Sequence, residues 1–91
     1  MSSHFKELED HIEAIITTAK LLGYTTKKYP NTRLIYEPPS TRHPFMEISL
    51  IDHREGQSFL LTRYKYEQKH SFINSSHEEK IKHLQELIKK L

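Results

Sequence analysis

The stretch from Phe45 to Tyr66, FMEISLIDHREGQSFLLTRYKY, constrains the fold more than any other part of the chain. Apolar and polar side chains alternate along both of its halves, and β-branched and aromatic residues are frequent, which is the pattern of half-buried strands. Gly56 supplies a residue for left-handed backbone in a three-residue loop, Arg54-Glu55-Gly56. That loop places His53 opposite Gln57 and fixes the register beyond it. Leu50 then faces Leu60, Ile48 faces Thr62 and Met46 faces Tyr64, all on the face expected to be buried. On the other face Ile51 opposes Phe59, Glu47 opposes Arg63 and Phe45 opposes Lys65. A carboxylate across from a guanidinium favours this register, because unlike charges stabilise a cross-strand pair.

The flanking segments read as helices and a second hairpin. Phe5, Leu8, Ile12, Ile15, Ile16, Ala19 and Leu22 recur at spacings of three and four, one apolar stripe on a helix capped by Ser2 or Ser3. Gly23 is placed to end that helix in the left-handed conformation. Tyr24 to Tyr29 and Arg33 to Glu37 read as short strands joined by a Pro30-Asn31 turn. Leu34 and Ile35 are adjacent, so alternation leaves open which face of this hairpin is buried. Pro38-Pro39 cannot continue a central strand, and the segment to Pro44 is a loop carrying Arg42 and His43. Residues 67–75 lose periodicity, with Phe72 and Ile73 expected to plug the sheet. Ser76-His77-Glu78-Glu79 is a capping box, in which the serine hydroxyl and the Glu79 carboxylate each take a free backbone N–H. It opens a helix with Ile81, Leu84, Leu87, Ile88 and Leu91 on one face.

The order α-β-β-β-β-α predicts one small two-layer α+β domain over residues 1–91. Its antiparallel sheet has three to four strands, with the N-terminal and C-terminal helices on one face. If residues 24–37 form one irregular strand, the order becomes the α-β-β-β-α of double-stranded-RNA-binding domains. The acidic opening of the last helix, where that family carries a basic loop, argues against such a role.

Chemistry-bearing patterns are sparse. The chain has no cysteine, only two glycines and no phosphate-cradling loop. No apolar run reaches membrane-spanning length, so a soluble, cytoplasmic protein is expected. Among seven histidines, His4 and His11 share a helical face with Glu7, but a single-chain metal site needs further converging ligands. His43 and His70 have no evident nucleophile to serve. Glu47 and Lys65 are too few for a metal-dependent nuclease. No enzyme activity, cofactor or metal is expected.

What remains is a surface. With helices on one side only, Phe45, Glu47, Ile51, Phe59, Leu61, Arg63 and Lys65 form an apolar patch ringed by charge, and Arg42 extends it into the loop. Such a patch suits a protein partner or a second copy of the chain. The expected function is therefore a non-enzymatic regulator or inhibitor acting by docking, a class in which phage and mobile-element proteins are numerous. The alternative is a nucleic-acid-binding module using Lys27, Lys28, Tyr29, Arg33, Tyr36 and Arg42. Charge disfavours it: the net value is only +2, and residues 4–22 carry Lys6 and Lys20 against Glu7, Glu9, Asp10 and Glu13.

Overall fold

Strand alternation and helical stripes meet in a computed structural model that describes residues 3–52 and 58–91. Helix α1 spans Ser3–Leu21, and strands β1 to β5 span Thr25–Lys28, Thr32–Tyr36, Met46–Asp52, Ser58–Tyr64 and His70–Phe72. Helix α2 spans His77–Ile88. The strands form one antiparallel sheet in the order β1-β2-β3-β4-β5. The Arg54-Glu55-Gly56 loop and the His53–Gln57 pair lie outside the described residues, as does Ser2.

The central register is the one the alternation predicts. Leu50 opposes Leu60, Ile48 opposes Thr62, Met46 opposes Tyr64, Glu47 opposes Arg63 and Ile51 opposes Phe59. Leu60 and Met46 are fully buried, and Ile48 nearly so, against Leu8, Ile12, Ile15, Ile16 and Ala19 of α1 and Leu84 and Leu87 of α2. Both helices therefore pack on the same face of the sheet. The hairpin whose burial alternation left open is settled by Ile35, which opposes Met46 and is fully buried.

Two turns follow from their residue types. The N–H of Tyr24 donates to the Ala19 carbonyl at 2.9 Å and that of Gly23 to Lys20 at 3.1 Å, closing α1 through Gly23 at φ +95°. Pro30-Asn31 joins β1 to β2, with Tyr29 and Thr32 exchanging backbone hydrogen bonds of 2.8 and 3.4 Å.

The structure corrects or settles four points of the sequence reading. The sheet has five strands, because residues 70–72 pair with β4. A three-residue strand is too short to display alternation. Phe72 does turn into the core beside Leu60, but Ile73 is 49% exposed and plugs nothing. Because β1 and β2 form a true hairpin, the α-β-β-β-α order does not apply. Finally, the capping box is half formed. The Glu79 N–H donates to the Ser76 hydroxyl at 3.2 Å, while the Glu79 carboxylate accepts from that hydroxyl at 3.2 Å instead of from the Ser76 N–H.

Candidate interaction surface

Strand alternation sends Leu34, Glu47, Ser49, Ile51, Phe59, Leu61 and Arg63 to the face opposite the helices. No described helix covers it. Leu34, Phe59 and Leu61 are nevertheless half-buried among their neighbours, and Ile51, at 38% exposed, is the barest apolar side chain of the set. Across the middle, the Thr32 and Ser49 hydroxyls bond at 2.9 Å.

The charges on this face are arranged otherwise than the register suggests. Glu47 lies opposite Arg63, yet its ion pair is with Lys69, at 3.3 Å. Lys69 reaches across from the turn after β4, leaving Arg63 with no ion pair among the described residues. The Arg63 Nε is buried and has no hydrogen-bond partner among the described residues. A buried guanidinium donor left unsatisfied is costly, about 1–3 kcal/mol or more for a charged group.

Phe45 and Lys65 do not belong to this face. Phe45 lies in a bend before β3, where alternation no longer holds, and packs edge-on between Tyr24 and Tyr64 with ring centroids 5.3 Å from each. Lys65 lies in the turn after β4, with its ammonium 5.9 Å from the Phe45 ring centroid and 5.3 Å from that of Tyr64. Arg42 is exposed in the loop between β2 and β3 and has no ion pair among the described residues.

Nor does the fold gather the basic and tyrosine residues of the first hairpin. Arg33 shares the helix-covered face with Ile48 and bonds Glu13 of α1 at 3.3 Å and the Tyr29 carbonyl at 3.0 Å. Lys27 projects from the other face and holds its ammonium 5.1 Å from the ring of Tyr36, which is buried. Lys28 and Tyr29 are exposed at the hairpin end. Strand alternation itself divides this set between the two faces.

Four of the seven histidines form two clusters bridging separate elements. His4 of α1 stacks on His77 of α2 with centroids 4.0 Å apart, and the Glu7 carboxylate lies 3.3 Å from the His77 Nε2. His11 does not join them in any metal-holding group, and among the described residues no three histidine or acidic side chains are so arranged. His83 bonds the buried Thr62 hydroxyl at 2.7 Å and packs against Phe72 at 4.4 Å, tying α2 to β4 and β5. Burial lowers the His83 pKa below its ordinary 6.5, with His70 of β5 and Lys90 adding to the effect and Glu86 opposing it.

The folded chain thus prefers His83 neutral and binds fewer protons there than the unfolded chain. Its contribution to stability is present above about pH 6.5 and is lost as pH falls towards the lower folded value. Thermal melts between about pH 7.5 and pH 5 should show stability decreasing on acidification, less steeply in His83→Gln. Parallel profiles for the two proteins would assign the loss to other groups.

Two concavities lie among the described residues. A cavity of about 60 Å³ lies between α1 and the first strands, lined by Phe5, Ile12, Leu50 and the Arg33–Glu13 pair. A larger cleft of about 240 Å³ lies between the Pro38–Pro44 loop and the turn after β4, lined by Glu37, His43, Phe45, Lys65 and Tyr66. The second was not legible, because Lys65 and Tyr66 are consecutive strand-like residues in the sequence. No described helix is long and apolar enough to cross a membrane. No family model, curated protein or solved structure matches this chain.

Proposed function

We propose that the chain is a non-enzymatic binding protein that docks through its open sheet face onto another protein. That partner presents apolar side chains to Ile51, Phe59 and Leu61 and a carboxylate to Arg63. The observation that carries this reading is the half-exposed Arg63, which has no ion pair among the described residues, on a face that no described helix covers. A partner carboxylate reaching its guanidinium would supply a charge-assisted hydrogen bond, stronger than a neutral one. Lys27, Arg63 and Lys69 outnumber Glu47 on and beside this face, so its charge also selects an acidic partner.

The two sheet edges favour docking on the face over strand addition. β1 carries Lys27 and Lys28 along its length, and β5 is only three residues long. Both are devices that discourage edge pairing.

The test is site-specific photocrosslinking in the source cells, followed by reconstitution. A benzophenone amino acid at position 61 should yield one predominant adduct, whereas the same group at position 82, exposed on α2, should yield none. The purified complex should weaken about tenfold or more in Arg63→Met, the loss of one charged hydrogen bond. Equal labelling from both positions, or an adduct of the chain with itself, would overturn the proposal.

A further inference from the structure

We infer that β5 is released by acid: protonation where α2 meets β5 detaches residues 70–72 from β4 while the other four strands and both helices keep their places. β5 is held lightly. It has three residues, His70–Phe72, and pairs only with Leu60, Leu61 and Thr62. His70 and Ser71 are exposed, so Phe72 is its single side chain packed against the core. Ile73 on its far side is exposed, and the Lys69–Glu47 pair on its near side is a surface ion pair of small worth.

Phe72 rests on His83. Their ring centroids are 4.4 Å apart, and the His70 ring lies 6.1 Å from the same imidazole. The His83 Nε2 is 2.7 Å from the hydroxyl of the buried Thr62. One side chain of α2 thus meets β4 and β5 at once. Neutral, the imidazole can accept the Thr62 hydroxyl at Nε2 and present an uncharged ring to Phe72. Protonated, it has only donors, so the Thr62 hydroxyl loses that acceptor and the new charge is partly cut off from water. Burial is the largest cost of that charge. His70 of β5 and Lys90 beyond α2 add to it, Glu86 of α2 opposes it, and β4 faces the ring with the neutral Thr62.

The conflict is relieved when one of the two elements moves. α2 is fixed by Leu84 and Leu87 in the shared core. β5 ends the sheet, so it can leave without breaking any other pairing. Leaving, it takes His70 away from the imidazole and admits water to it. The open form therefore binds the proton more tightly than the closed one, and opening is favoured as pH falls below about 6.5 towards the lower closed-state value. Release makes the seven-residue β4 the edge in place of a three-residue strand, and a long edge is the kind that accepts another strand.

The experiment is an NMR titration of the full ¹⁵N,¹³C-labelled chain from about pH 7.5 to about pH 4.5, following the His83 imidazole and the backbone shifts together. Residues 70–72 are expected to move towards random-coil shifts, and Phe72 to lose its contacts with His83, as that imidazole titrates, while β1 to β3 keep strand shifts. The ratio of open to closed form should rise by up to about tenfold per pH unit. His83→Gln, which keeps a side chain able to bond Thr62 but takes up no proton, should hold β5 in place over the whole range. The inference is overturned if the His83 imidazole titrates while residues 70–72 keep their strand shifts, or if all five strands are lost in one step. It is equally overturned if His83→Gln releases β5 at the same pH, which would assign the release to the Lys69–Glu47 pair.

Discussion

Replacing Leu60 by alanine is expected to destabilise the fold by about 3–4 kcal/mol, the cost of a buried leucine truncation that leaves a cavity. Leu60 is fully buried, opposes Leu50 on one side and Phe72 on the other, and belongs to the core cluster shared with both helices. No neighbour is free to collapse into its place without moving a strand. A chain of this length has roughly 5–10 kcal/mol of total stability, so the variant should lose about half of it. Urea unfolding followed by far-ultraviolet circular dichroism should show a much lower midpoint with little change in slope. A loss under about 1 kcal/mol would mean that the helices do not seal the middle of the sheet.

The second large effect is expected on the other face, with the opposite pattern. Phe59→Glu should keep the fold and abolish partner binding. Phe59 opposes Ile51 and has no place in the buried cluster, so its replacement removes one cross-strand contact at about 1 kcal/mol or less. On the open face it puts a carboxylate at the centre of the proposed contact. Aromatic anchors of interfaces typically contribute about 2–4 kcal/mol, and affinity should fall by a factor of about thirty or more. Chemical denaturation and titration of the purified complex test the two halves separately. Unfolding of the variant would place Phe59 in the core, and undiminished affinity would move the contact elsewhere.

Sequence periodicity was most informative where the strands are long. β3 and β4 have seven residues each, enough for alternation to reveal both faces and the register. β5 has three, and nothing in His70-Ser71-Phe72 separates it from a loop. Alternation also states which residues lie opposite one another, but not where long side chains end. Glu47 opposes Arg63, yet Lys69 arrives from six residues further along and takes the carboxylate. Phe45 shows the same limit at a strand end, since one bend turns its ring from the outer row into the aromatic group around Tyr24 and Tyr64. The left-handed backbone at Lys65 has no sequence signature at all.

The sequential order of the strands has a kinetic consequence. Each strand pairs with its predecessor in the chain, so every sheet contact closes a short loop. Proteins built from such local pairings search little conformational space before they gain stabilising contacts, and they fold quickly for their strand content. The helices supply the long-range contacts, above all the packing of α1 on α2, whose histidines His4 and His77 meet from opposite ends of the chain. α2, the last element in sequence, joins α1 and the sheet through contacts distant in the chain. Through His83, which bonds Thr62 and packs on Phe72, that helix also ties the fifth strand to the rest.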